Sequence, residues 1–218
     1  MKEEVDLLTK KQRKKLKKRS IFTLLLTLTS VLFFSALFVI LSDDEYRGKT
    51  LDVLEQNGAP VEMEIPEEFI NVYKSAEEEY GVDWQLLAAH HRVETRFSTM
   101  DTLVSPVGAE GHMQFMPCTF IGWAHPSCEG LGEGDISKDE LTDPEAIEKY
   151  GGYGIDANGD GVADPYNIED AVYSAANYLS QNGAADGDLE SAIFLYNRSD
   201  QYVEDVLGFY RDYIEKHP

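Results

Sequence analysis

The sequence predicts a mainly α-helical domain behind a single N-terminal apolar segment, and three observations support this fold class. Apolar residues recur at helical spacing in the longest stretches after residue 66, and no stretch shows the alternation typical of a strand. Hydrophobic residues make up 43% of the 218 residues, which is enough for a packed core. Two cysteines are too few for a scaffold built on disulfides.

The charge distribution changes sharply along the chain. Residues 1–20 carry nine Lys or Arg and three acids, residues 21–41 carry no charge, and residues 42–218 carry 10 basic and 37 acidic groups. At about 1.5 Å per residue, a helix over 21–41 would span the roughly 30 Å hydrocarbon core of a membrane. Basic clusters stay in the cytoplasm, so we predict a basic cytoplasmic tail, a transmembrane signal-anchor and an extracytoplasmic remainder. A cleaved signal peptide is the alternative, although its apolar stretch is usually shorter.

The exterior part divides into a linker and a domain. Residues 42–62 are polar without sustained periodicity, which predicts a stalk. Residues 63–218 are long enough for one domain with a real core. Their strong negative charge excludes a nucleic-acid binder, which needs a basic face.

Start and stop signals locate the helices of this domain. A helix is predicted over 66–80 and ends at Gly81, and Asp83 is predicted to cap a second helix over 84–97. Three further helices follow from apolar periodicity, over 166–181, 189–196 and 202–214, and a shorter one is predicted over 116–123. Residues 125–165 are rich in Gly, Asp and Pro and are predicted to be mainly loop.

Glu94 lies on an apolar face of the predicted second helix. A carboxyl group in such a place loses solvation, which raises its pKa and suits it to protonate a glycosidic oxygen. Two alternatives remain open on the residues alone. Arg92 or Arg96 could neutralise Glu94, and the spacing of His90 and His91 to Glu94 could form a zinc site, although no third ligand is evident.

A second motif, DANGDGV at 156–162, matches the first half of a calcium-binding EF-hand loop. Side-chain oxygens and one backbone carbonyl suit a hard cation, and the predicted ligands are Asp156, Asn158, Asp160 and Val162. The expected Glu at position 12 is replaced by Asn167. A sodium site or a metal-free turn rich in Asp and Gly is the alternative.

The two cysteines, Cys118 and Cys128, are ten residues apart in the predicted exterior domain. An oxidising exterior permits a disulfide between them, which would fix the loop after the short helix. Two buried free thiols are the alternative. Neither cysteine has the neighbouring His that activates a nucleophilic thiol.

Four segments occur in a recognisable order: VETRF at 93–97, SPVGAEGHMQFMPCTFIGW at 105–123, YGIDANGDGVADPYNIEDAVYSAANYL at 153–179 and AIFLYNRSDQYVEDVL at 192–207. Together they resemble the lytic transglycosylase family with the lysozyme-like fold, specifically the membrane-bound murein transglycosylases that carry a calcium loop. The resemblance covers about residues 66–215. It implies a lysozyme-like transglycosylase domain over 63–218.

The resemblance also implies roles for single residues. Glu94 would be the single catalytic acid/base, and Asp170 would complete the calcium loop. Substrate-binding roles are implied for Ser105, Met113, Gln114, Tyr196 and Asn197, with the hydroxyl of the tyrosine near the catalytic carboxyl group. The sequence departs from the family at His112, Cys118 and Phe120, where other residues are commoner.

The implied activity is cleavage of the β-1,4 bond between MurNAc and GlcNAc in peptidoglycan, with a 1,6-anhydromuramyl product. Calcium would be structural, and the partners would be glycan strands and the membrane, with protein partners left open. A muramidase is one alternative, because Asp101 or Glu110 could assist hydrolysis. A non-catalytic wall-binding module is the other.

Overall fold

Eight α-helices and one 3-10 helix occur in residues 64–218, the part of the chain that this computed structural model describes. They are α1 (Glu67–Tyr80), α2 (Trp84–Thr95), α3 (Pro117–Ile121), α4 (Lys138–Leu141), α5 (Pro144–Tyr150), α6 (Ile168–Gln181), the 3-10 helix Ala184–Asp186, α7 (Leu189–Asn197) and α8 (Asp200–Lys216). No strand occurs within 64–218, where the only β pairing is two isolated bridges, Val104 with Glu110 and Glu110 with Phe115. The prediction of a mainly α-helical domain is confirmed.

The predicted basic tail over 1–20, membrane segment over 21–41 and stalk over 42–62 lie outside the described residues. Within residues 64–218, no helix is both long enough and apolar enough to cross a membrane.

Helix α2 is the central element of the described domain. It packs against α1, α6 and α8, and α1 also packs against α6. Seven of its first eight residues, WQLLAAHH, are buried, as expected for a helix that packs against several neighbours. Leu86 and Leu87 are fully buried, and burying a leucine side chain contributes about 1.5–3 kcal/mol. The helix that carries Glu94 is therefore held firmly by the core.

The boundaries of the first two helices follow the predicted signals with two differences. Helix α1 ends at Gly81, whose φ of 69° is left-handed. Asp83 precedes α2 as predicted, but its side chain makes no capping hydrogen bond and accepts one from the hydroxyl of Tyr210. Helix α2 ends at Thr95 rather than at residue 97, because Arg96 adopts a left-handed conformation with φ 53°.

The prediction that residues 125–165 are mainly loop misses two short helices. Helix α4 begins after Ser137, whose hydroxyl accepts from the amide of Glu140, and α5 begins after Asp143, which accepts from the amide of Glu145. Both capping residues are visible in the sequence. Helices of four and seven residues are too short for apolar periodicity to reveal them.

Candidate active site

Glu94 lies in the last turn of α2 and is half-buried. Its Oε1 accepts a hydrogen bond of 2.5 Å from the hydroxyl of Tyr202, at the start of α8. Burial raises the pKa of Glu94 from 4.5 to about 7, and the hydrogen bond from Tyr202 opposes this rise. A carboxyl group with this pKa exists in both protonation states near neutral pH.

The side chain of Glu94 lines an open cleft. Helix α2 and the residues that follow it form this cleft, and its other lining residues include Arg96, Thr99, Met100 and Asp101. The guanidinium of Arg92 points to a different place: it lies 3.7 Å from the ring centre of Phe209 and donates to the hydroxyl of Tyr213. Burial rather than a neighbouring cation therefore sets the pKa of Glu94.

The hydrogen bond to Glu94 comes from Tyr202, a residue that the resemblance did not single out, and Tyr196 lies close enough to sense the charge of Glu94. The hydroxyl of Tyr196 donates to the backbone carbonyl of Met113 at 2.8 Å, whereas Tyr202 donates to Glu94. The two tyrosine rings are stacked, with centroids 6.4 Å apart and planes 5° apart. Burial and the nearby charge of Glu94 raise the pKa of both tyrosines well above the ordinary value, so both remain hydrogen-bond donors.

The segment 113–114 supports a second, smaller pocket. Gln114 has a left-handed φ of 50°, and its Nε2 donates to the carbonyls of Leu103 and Gly111 at 2.9 and 2.8 Å. Gln114 and Tyr196 line this pocket together. The side chain of Met113 is fully buried in the core, so it offers no atom to a ligand.

Two other predicted substrate-binding residues lie apart from these contacts. The hydroxyl of Ser105 accepts from the amide of Ala109 at 2.9 Å and closes a turn. Asn197 is exposed at the end of α7. Neither residue lines the cleft at Glu94 or the pocket at Gln114.

The two histidines considered as zinc ligands, His90 and His91, form hydrogen bonds with protein groups instead. His90 donates from Nδ1 to the carbonyl of Leu86, and His91 bonds Tyr73 and Ser98. Burial lowers the pKa of His90 to about 4 and that of His91 to about 3, so both are neutral. Within residues 64–218, no group of three or more His, Cys, Asp or Glu is placed to hold a metal ion.

The acidic loop at 156–170 is folded by its own side chains. Asp156 accepts from the amides of three later loop residues, Gly159, Asp160 and Gly161. Asp170 is fully buried and accepts from the amides of Ala157, Asn158 and Asp164. Asn167, at the position where an EF-hand has Glu, caps α6 through the amides of Glu169 and Asp170. The donor chemistry fits a hard cation, while the carboxylates are engaged with backbone amides.

The expected disulfide between Cys118 and Cys128 is present, with 5.6 Å between the Cα atoms. It joins α3 to the loop that follows, and no cysteine of the chain is free. In the same loop, Trp123 is 52% exposed and lies beside Gly132.

Comparison with known proteins leaves the family open. No family model matches the chain. A curated relative, the L-Ala--D-Glu endopeptidase of Bacillus subtilis (strain 168), is 33% identical over 66 residues, which are 30% of this chain. The chain covers 20% of the length of that relative, so the match does not assign the chain to its family.

Proposed function

We propose that this chain is a peptidoglycan lytic transglycosylase that cleaves the MurNAc–GlcNAc β-1,4 bond with Glu94 as its single acid/base. The observation that carries the proposal is the carboxyl group of Glu94, which faces an open cleft and has its pKa raised by burial to about 7. One group with this pKa can serve as the acid and then as the base near neutral pH. The four sequence segments that resemble the lytic transglycosylases, within a mainly α-helical domain, support the same conclusion.

The mechanism assigns different tasks to the two oxygens of Glu94. Tyr202 donates to Oε1, which leaves Oε2 to carry the proton. Glu94 gives this proton to the glycosidic oxygen as the bond to C1 of MurNAc breaks, and the N-acetyl group of the substrate stabilises the positive centre. The carboxylate then takes the proton of the C6 hydroxyl, whose oxygen bonds to C1 and closes the 1,6-anhydro ring. The hydrogen bond from Tyr202 stabilises the carboxylate between the two steps.

The remaining predicted residues shape the glycan site in this proposal. The hydroxyl of Tyr196 holds the backbone at Met113 and so fixes the adjacent Gln114. The amide nitrogen of Gln114 is in turn held by its two bonds to backbone carbonyls, and Gln114 lines a pocket together with Tyr196. Ser105 and Asn197 are proposed to contact more distant parts of the glycan.

A muramidase is the second candidate, and one observation favours it. Asp101 lines the same cleft as Glu94. A second carboxylate in the cleft can activate a water molecule or stabilise the positive centre, and water would then add to C1 of MurNAc, so that the glycosidic bond is hydrolysed. The two outcomes differ by one water in the mass of the muramyl product.

We also propose a membrane-anchored location and a bound calcium ion for this chain. The uncharged segment over 21–41 would anchor the chain, with the domain outside facing the cell wall. Calcium would bind the oxygens of the 156–170 loop and stiffen it. The curated relative is named for cleavage at an L-Ala--D-Glu bond. The match covers 30% of this chain and 20% of that relative, so it carries no proposal of the same cleavage here.

Digestion of purified peptidoglycan by the full-length chain and by Glu94→Gln tests the proposal. The glutamine keeps the shape and the bond from Tyr202, but it cannot give or take the proton. The wild type should release muropeptides, whereas the variant should bind the wall and release none. Equal release by both proteins would contradict a catalytic role of Glu94.

A further inference from the structure

A continuous hydrogen-bond network passes through the C-terminal part of α2, the helix that carries Glu94, and uses side chains that have no part in the proposed mechanism. The hydroxyl of Tyr73 lies 2.6 Å from Nδ1 of His91, and Nε2 of His91 lies 2.7 Å from Oγ of Ser98. The same Oγ lies 2.6 Å from Nδ1 of His112, and Nε2 of His112 lies 2.9 Å from the backbone carbonyl of Tyr166. The network joins α1, α2 and two loops that are distant in sequence.

The direction of every bond in this network is fixed by its last acceptor. The carbonyl of Tyr166 can only accept, so His112 carries its proton on Nε2 and accepts on Nδ1. Ser98 must therefore donate to His112, and its oxygen accepts from Nε2 of His91. The remaining nitrogen of His91 accepts from Tyr73. These donor and acceptor assignments require both imidazoles to be neutral. Burial lowers the pKa of His91 to about 3 and also lowers the pKa of His112.

Ser98 occupies a backbone conformation that L residues rarely adopt. Arg96, Phe97 and Ser98 have consecutive positive φ angles of 53°, 57° and 63°, directly after the helix that carries Glu94. Such a run persists only where surrounding contacts determine it. At Ser98 those contacts are the two imidazoles and a bond from its amide to the hydroxyl of Thr95.

At the His112 end of the hydrogen-bond network, further bonds hold the backbone that leads to Gln114. The hydroxyl of Thr95 donates to the carbonyl of His112 at 2.9 Å, and the amide of His112 donates to the carbonyl of Pro165 at 3.0 Å. Gly111 approaches the same carbonyl so closely that an added Cβ would lie 2.0 Å from its oxygen. His112, a departure from the family pattern, thus connects the end of α2 to the wall of the pocket.

We propose that Ser98 is a positioning residue, whose hydroxyl between His91 and His112 fixes the position of Glu94 relative to the segment of Gln114. This inference rests on the proposed glycan-cleaving function. It predicts that loss of the hydroxyl lowers the rate of the chemical step more than it weakens substrate binding, because Glu94 remains present but is less well placed.

The first test compares Ser98→Ala with Thr142→Val in the full-length chain. Thr142 serves as the control, because its hydroxyl is also removed from solvent and donates to the carbonyl of Lys138, within its own helical turn. Ser98→Ala should lower kcat on glycan strands by about 10- to 100-fold with KM changed by less than about threefold. Thr142→Val should keep the wild-type kcat. A wild-type kcat in Ser98→Ala, or a loss confined to KM, would overturn the inference.

A second pair of variants keeps the inference testable if Ser98→Ala does not fold. In His112→Asn the side-chain oxygen can accept from Ser98 at the position of Nδ1, whereas His112→Ala offers no acceptor. Both variants lose the bond to Tyr166, so their difference isolates the bond to Ser98. We expect His112→Asn to recover at least about a tenfold higher kcat than His112→Ala. Equal kcat values would refute the positioning role.

Histidine nitrogen shifts from selectively labelled full-length chain provide a readout independent of activity. In the wild type, His91 and His112 should carry their protons on Nε2 and His90 on Nδ1, and Ser98→Ala should change the signals of the first two alone. A proton on Nδ1 of His91 or His112 would contradict the predicted directions of these hydrogen bonds. If the wild type cleaves no glycan, the proposed function fails together with the positioning role. If it cleaves and Ser98→Ala is unaffected, only the positioning role fails.

Discussion

Replacing Glu94 by Gln should stabilise the folded domain at alkaline pH, because the carboxylate is ionised there at a cost that glutamine does not carry. The carboxyl group has a pKa of 4.5 when exposed and about 7 in the folded chain. Folding therefore carries no such cost well below pH 4.5, and the full cost applies above about pH 7. At about 1.4 kcal/mol per pH unit the limit is about 3 kcal/mol, and solvent access to the half-buried side chain reduces it to about 2 kcal/mol.

Urea unfolding of the wild type, Glu94→Gln and Glu204→Gln at pH 5 and pH 9 measures this effect. Glu204 is exposed on α8 and serves as the matched control. Part of the cost already applies at pH 5, so the stability advantage of Glu94→Gln should grow by about 1 kcal/mol between the two pH values, and that of Glu204→Gln should change by much less. An advantage of Glu94→Gln that is the same at both values would show that burial does not raise the pKa of this carboxyl group, and the acid/base argument would fail.

Three further results are expected. Because His90 and His91 are buried and neutral, with pKa values lowered to about 4 and about 3, the free energy of unfolding should fall as the pH drops below about 6.5. In the Glu94→Gln background, the free energy of unfolding measured by urea titration should fall by up to about 1.4 kcal/mol per pH unit for each histidine. A free energy of unfolding that does not change with pH over this range would contradict the prediction. Tyr202→Phe removes a bond that lowers the pKa of Glu94, so the alkaline limb of the pH–rate profile should move to higher pH; an unmoved limb would count against the contact. Calcium should raise the melting temperature relative to chelator, and Asp156→Asn should abolish that increase; no increase in the wild type would refute the calcium site.

The sequence indicates Glu94 as a candidate site residue but does not indicate Tyr202, which donates a hydrogen bond to it. Glu94 could be predicted because a local motif and an apolar helix face mark it. Tyr202 lies on a different helix, and its contact depends on how α8 crosses α2, which no spacing in the sequence encodes. The sequence instead drew attention to Tyr196, whose hydroxyl holds the backbone of Met113.

The same limit applies to the backbone after Glu94. Three consecutive non-glycine residues with positive φ contradict local preference, so propensity alone extended the helix to residue 97. The conformation depends on Ser98 being held by His91 and His112, which come from separate parts of the chain. His112 was visible only as a departure from a family pattern, and its role follows from tertiary contacts.

Digestion of peptidoglycan in heavy-oxygen water, with the masses of the muramyl products determined, is the most direct test of the central claim. If Glu94 transfers the proton of the C6 hydroxyl, the product is a 1,6-anhydromuramyl end without heavy oxygen, and Glu94→Gln forms none. A muramyl product that contains heavy oxygen at C1 would show hydrolysis and contradict the transglycosylase account.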